Sequence, residues 1–450
     1  MSALESFVSP LADATVKDGA APLTGRHGLG TMPPEYRRSG DGRALDEILR
    51  DVELTADLPL ERARTLPAEA YTSKALLEWE VDNVLGAGWV CLAHVSQIPK
   101  PGDFINVDVL GEPLIVVHGK DSVVRVLSRV CPHRAMDIMP PGFGYDGHGP
   151  AEVRDGSPGC GHTRLFLCPY HHWSFELDGS LKGCPEMQKA EGFVREEIGL
   201  KTFRSEVWNG FVFLNLSGDA EPVAKQYAPL AADISAWDTP NMKVVIAKEW
   251  DCHFNWKVLV ENFMEGYHHL GAHCKTLQPI MPAKHTWTEG ERAHSIRVIL
   301  PYKDEIDVVQ SANFLDVPDL PEDQRREMDV YLGQPSFLLF TGPDRVFWYR
   351  IDPVAPDRSR LLTTMLVNED ALADADYEAK MEVANKMLVD FHLEDMEVCA
   401  AVQRGFYAKG YQRGRLSHLE MPIWLIQRYI AARSRGTYPT SDRPAAPSQR

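Results

Sequence analysis

CPHRAMDIMP at 131–140 and CPYHHW at 168–173 decide how this chain is read. Each stretch opens Cys-Pro, and each sets a histidine a short step behind its cysteine: His133 in the first, His171 in the second. Together they spell C-x-H…C-x-x-H. Two thiolates and two imidazoles suit a tetrahedral zinc ion, or a [2Fe–2S] cluster in which histidines replace cysteines on one iron. In a ββα zinc finger the two cysteines come first and the two histidines share a helix. Here each loop pairs one Cys with one His.

The surroundings of both loops read as β-structure. FINVDVL (104–110), PLIVVHG (113–119), VVRVLSRV (123–130) and WSFELDGSL (173–181) are short β-branched or alternating runs. Gly111, Gly119 and Asp178-Gly179 mark turns between them. On these motifs and strands the segment resembles the Rieske [2Fe–2S] domain. The resemblance implies that Cys131 and Cys168 hold one iron and that His133 and His171 hold the other. His172 reads as a hydrogen-bonding neighbour. The chain departs from the family in the gap between its loops, which is about twice the usual length. The excess, PGFGYDGHGPAEVRDGSPGCGHTR at 141–164, is rich in Gly and charge and reads as a surface insertion. Cys160 and His162 lie inside it, without the Pro and Trp that mark the other two loops.

A second constellation begins with NWKVLVENFMEGYHHLGAHC at 255–274. At helical periodicity, Trp256, Leu259, Val260, Phe263, Tyr267 and Leu270 fall on one side, and Glu261, Asn262, Glu265, His268 and His269 on the other. That polar side is equally a solvated surface. Gly271, however, breaks the helix before His273, so the chain can bend His273 back towards His268. Far downstream, LVDFHLEDMEVCAAVQRGF at 388–406 carries an apolar stripe of Leu388, Phe391, Val398 and Val402, and Asp395 falls in it. A carboxylate facing a core needs a partner, whether an arginine or a metal. Two histidines and one carboxylate, His268, His273 and Asp395, suit the facial triad of a non-haem Fe(II) oxygenase.

The two constellations in this order resemble the α subunit of a Rieske non-haem iron oxygenase, over about 70–440. The resemblance implies an α+β fold: a Rieske-type antiparallel β domain, then a helix-grip domain of antiparallel sheet and long helices. It implies a terminal oxygenase that uses O₂ and a mononuclear Fe(II) to hydroxylate or oxidatively demethylate a small organic substrate. Electrons come from NAD(P)H through a reductase, in some systems with a ferredoxin. It implies a homotrimer, with Glu265 bridging His171 of one copy and His268 of the next. Arene-dihydroxylating members commonly carry Asp there, while Glu resembles the branch that oxidises carnitine, betaine or choline. Dihydroxylation of an aromatic ring is the alternative activity, and a plain electron carrier or a zinc-stabilised binding protein the alternatives of other classes. Phe340, Trp348, Tyr349 and Trp287 are the candidate pocket residues, since an aromatic cage suits a quaternary ammonium.

Composition agrees with this reading. The chain has 450 residues and a net charge of -17, with no basic stripe, so a nucleic-acid partner is not expected. No apolar run reaches the length that spans a membrane. The stretch MSALESFVSP has no basic flank or apolar core, so a cytoplasmic, reducing location is expected. The chain has eight cysteines; there, those clustered with histidines point to metal rather than disulfides, and Cys91, Cys252 and Cys399 sit among apolar neighbours as core residues. The expected domains are a partly irregular N-terminal extension at 1–65, a helix and Rieske domain at 66–217, and a catalytic domain at 218–450.

Overall fold

The computed structural model describes residues 42–139, 152–153, 159–290, 292, 294–303 and 314–438. Most of the 141–164 insertion therefore lies outside the described residues, as does the extension before residue 42. Two units are present: one runs from 86 to 223, and the other joins the segment up to residue 85 with 224 onwards.

The 86–223 unit contains strands β1 (Val90–His94), β2 (Asp103–Val109), β3 (Glu112–His118), β4 (Val124–Ser128), β5 (Glu152–Val153), β6 (Cys160–His162), β7 (Phe166–Leu167), β8 (Ser174–Phe175), β9 (Leu181–Gly183), β10 (Thr202–Trp208) and β11 (Phe211–Asn215). Eight form a sheet in the order β1-β11-β10-β4-β3-β2-β6-β5, and β7-β8-β9 form a small one. All the pairings are antiparallel. The run PLIVVHG is continuously apolar because β3 is covered on both faces. Ile115 and Val117 enter the core that also holds Cys131 and Cys168, and Leu114 and Val116 enter a second core behind it. Gly111 takes φ +80 in the β2–β3 turn, where L-residues are disfavoured. The end of the expected insertion is part of the sheet: β6 pairs with β2, and His162 Nδ1 lies 2.9 Å from the buried Asp103 carboxylate.

The other unit is built on β12 (Lys243–Cys252), β13 (Trp287–Thr288), β14 (Ser295–Pro301), β15 (Glu327–Gly333), β16 (Phe337–Thr341), β17 (Arg345–Ala355) and β18 (Arg358–Val367). They form one antiparallel sheet in the order β12-β18-β17-β16-β15-β14-β13. Helices Trp256–Phe263 and Tyr377–Tyr407 pack on one face of it.

Residues 45–56, within the partly irregular extension expected from the sequence, form a helix because Ile48, Val52, Thr55 and Ala56 recur at helical spacing and are buried. The helix at Lys74–Glu80, capped by Ser73, belongs with the second unit rather than with the Rieske segment. Its attachments are specific. Tyr71 stacks on Phe406 at 4.0 Å, and the Tyr71 carbonyl accepts from Gln403. Glu80 accepts hydrogen bonds from Trp256 Nε1 and from Lys257 Nζ, and both members of that ion pair are shut away from water.

Candidate metal centres

The two Cys-Pro loops share one backbone geometry. In each, the cysteine N–H donates to the carbonyl five residues on (Cys131 to Met136, Cys168 to Trp173), and its carbonyl accepts from the N–H four residues on (Ala135, His172). Ala135 and His172, at matching positions, have φ +56 and +57. Both thiols are buried and close enough to hydrogen-bond each other, and burial pushes Cys131 up to about 11. The His133 and His171 rings lie 4.7 Å apart, and His133 stacks on Trp173 at 4.6 Å. His171 Nδ1 is buried with no hydrogen-bond partner among the described residues. A partnerless nitrogen beside two buried thiols fits a metal-bound role, since buried polar atoms are otherwise paired and thiols ligate as thiolates.

In the other unit, His268, His273 and Asp395 offer ligand atoms that all lie within 4.8 Å of one another. Asp395 Oδ1 is 3.0 Å from His273 Nε2 and 3.6 Å from His268 Nε2. Each imidazole is held from behind. Glu265 Oε1 lies 2.9 Å from His268 Nδ1, and its Oε2 accepts from the His268 backbone N–H. Glu394 Oε2 lies 2.7 Å from His273 Nδ1 and also accepts from Thr276 Oγ1. Both Nδ1 atoms thus face carboxylates, which fixes the tautomer that leaves Nε2 lone pairs pointing at a common centre. Burial works against the charge on Asp395, yet His273 and then His268 hold its carboxyl below the usual range.

The local fold differs from the expected long helix. The helix stops at Phe263, and His268 sits on a separate short turn at Tyr267–Leu270. Gly266 permits this, since a Cβ there would lie 2.6 Å from the Thr286 side chain. Tyr267 and Leu270, expected on the apolar side, are exposed in consequence.

Residues 88–204 match the family model "Rieske [2Fe-2S] domain", and residues 239–436 match "Ring hydroxylating alpha subunit (catalytic domain)". The chain carries a Rieske domain followed by a ring-hydroxylating α-subunit catalytic domain.

Among relatives, the carnitine monooxygenase oxygenase subunit of Acinetobacter baumannii is 32% identical over 213 residues, 47% of this chain and 53% of that protein. The chain thus spans about half the length of the curated relatives it matches at that level. The chloroplastic choline monooxygenase of Arabidopsis thaliana is 22% identical over 386 residues, covering 82% of this chain and 83% of that one. Among solved structures, a quaternary ammonium Rieske monooxygenase has a TM-score of 0.71 at 24% identity, covering 85% of this chain and 98% of that chain. Naphthalene 1,2-dioxygenase from Rhodococcus sp. has 0.68 at 17%, covering 87% and 98%. These two likenesses show the shared fold.

The fold brings only half of the candidate pocket to the triad's side of the sheet. Phe340 and Tyr349 pack with Phe263, and Tyr349 also meets His392 of the long helix. Trp348 alternates with Tyr349 along β17 and so faces the opposite way, and strand register puts Trp287 on that opposite face too. The long helix is also rotated from the expected stripe: it buries Leu388, His392, Cys399, Gln403 and Phe406, while Val402 is exposed. Sequence periodicity missed His392 and Glu394. The one available signal for Glu394 was its place beside Asp395, because ligating histidines usually hand their second N–H to a carboxylate. Cys91, Cys252 and Cys399 are buried, as expected. Among the described residues no helix is long and apolar enough to cross a membrane.

Proposed function

We propose that this chain is the terminal oxygenase of a multicomponent Rieske system that hydroxylates or oxidatively demethylates a small organic substrate, with quaternary ammonium compounds the first class to consider. The observation that carries the proposal is the triad itself: two imidazole Nε2 atoms and one carboxylate converge while Glu265 and Glu394 hold both Nδ1 atoms. His268, His273 and Asp395 would hold the mononuclear iron. Cys131 and Cys168 would hold one iron of the cluster, and His133 and His171 the other. When bound, the cluster supplies single electrons and the mononuclear iron activates O₂.

The chain's own residues do the positioning. Glu265 keeps a proton on His268 Nδ1 and is the proposed bridge to His171 of a neighbouring copy in a homotrimer. Phe263, Phe340 and Tyr349 wall off water beside the triad. A reductase, directly or through a ferredoxin, would bring electrons from NAD(P)H, and the cytoplasm is the proposed location. The carnitine, choline and betaine relatives favour quaternary amines, and Glu rather than Asp at 265 points the same way. The aromatic wall also admits arenes, and a biphenyl 2,3-dioxygenase α subunit is 30% identical over 223 residues, so ring dihydroxylation is the second reading.

An O₂-uptake screen with a generic reductase tests this. It should include carnitine, choline, glycine betaine, methoxy- and N-methyl-aromatics and aromatic acids. A quaternary amine should raise uptake and yield an oxygenated or demethylated product. Substrate-independent uptake with no oxygenated product from any class would refute the proposal.

A further inference from the structure

His392 is used by none of the roles above. It lies on the Tyr377–Tyr407 helix three residues before Asp395, about 4.5 Å along the axis, and is 1% exposed. Neither ring nitrogen has a hydrogen-bond partner among the described residues. The ring meets Trp250 at 4.7 Å and stands edge-on to Tyr349 at 5.3 Å. An N–H directed at an aromatic face makes only a weak bond. The second nitrogen, an acceptor in the neutral ring, gains nothing from those faces. Burial pushes the imidazole down to about 4, so the ring is neutral. A buried, partnerless polar group next to a reaction centre asks for a ligand atom.

The chemistry of that atom follows from what surrounds it. The charged and titratable groups acting on His392 are Asp395 and His273, and Asp395 alone acts on Tyr349. No lysine or arginine is among them. The free acceptor nitrogen needs a donor, which a hydroxyl carries and a carboxylate does not.

We infer that His392 anchors the substrate, accepting a hydrogen bond from a hydroxyl held about one helical turn from Asp395, and so selects hydroxyl-bearing substrates. This rests on the triad being the oxygenation site. The body of such a substrate would lie against Trp250 and Tyr349, which accept either an ammonium or an arene.

Two matched probe pairs test the inference by calorimetric binding to the iron-loaded protein: choline against propyltrimethylammonium, and benzyl alcohol against ethylbenzene. Wild type should prefer the hydroxyl member of a pair that binds by about 10-fold or more, because a site built around a hydrogen bond rejects the analogue lacking it. His392→Phe and His392→Leu should bring the ratio to about 1 while the hydroxyl-free member still binds, and His392→Gln should restore part of the preference. Ligand-free Tm should not fall in His392→Phe or His392→Leu beyond the change expected from side-chain volume, since no internal hydrogen bond is lost. If only the aromatic pair binds, with a preference that depends on His392, the inference stands and the quaternary-amine reading falls. A preference unchanged in both apolar variants, no preference in wild type, or no binding by either alcohol would overturn it.

Discussion

Replacing Glu394 with alanine isolates what one carboxylate contributes to the triad. Its Oε2 lies 2.7 Å from His273 Nδ1 and 2.7 Å from Thr276 Oγ1, and His273 is 1% exposed. Truncation leaves the His273 N–H buried without a strong acceptor, a loss of about 1–3 kcal/mol. At about 1.4 kcal/mol per decade, that weakens the hold on iron by about 5- to 140-fold. The range agrees with the roughly 10- to 100-fold typical of such supporting contacts. The assay is the rate at which a chelator strips the mononuclear iron, followed alongside the visible spectrum of the cluster. Iron loss should accelerate in Glu394→Ala and less so in Glu394→Gln, which keeps a carbonyl acceptor, while the cluster spectrum stays as in wild type. An unchanged stripping rate in the alanine variant would show that His273 needs no carboxylate behind it.

Other perturbations reach different parts of the account. Lys257→Met strands Glu80 in the interior and should lower stability by about 3–5 kcal/mol in urea unfolding, with Glu80→Leu/Lys257→Met recovering most of it. Glu261 accepts from Tyr71 Oη, and burial raises its carboxyl to about 7. Because the folded state holds that proton more tightly than the unfolded chain, Glu261 leaves stability intact below about pH 4.5 and erodes it as pH rises to about 7. Glu261→Gln should therefore flatten stability against pH in that window and gain on wild type above it, by on the order of 2–3 kcal/mol. Glu265→Gln should keep both metal centres but slow oxidation of the pre-reduced cluster by about 10-fold or more, and a wild-type rate would remove Glu265 from the electron path.

Legibility in the sequence followed local constraint. The Cys-Pro loops could be read because each packs its ligand types and its turn into six residues, and the turn hydrogen bonds close within the same six. The strand at 104–110 was visible from its β-branched run. The Glu327–Gly333 strand was not, because EMDVYLG buries side chains on both faces and lacks alternation. The triad residues were legible from types and spacing, but the path that joins them was not. At Gly266 the chain lies close against Thr286, an approach that no window around 255–270 contains. Periodicity also misplaced the buried stripe of the long helix, since Gln403 and His392 are polar residues on its inner face. Gln403 is satisfied there by Asn255 and Tyr71, more than a hundred residues away in sequence. The pocket suffered most: aromatic type marked Trp348 and Tyr349 alike, and only strand register separates them.

The central claim is that one chain carries two distinct iron centres, and metal analysis of purified wild type and His268→Ala tests it directly. Wild type should contain about three irons and two acid-labile sulfides per chain. His268→Ala should contain about two irons and two sulfides, with an unaltered cluster spectrum. Two irons per wild-type chain, or a variant that keeps the third, would contradict it.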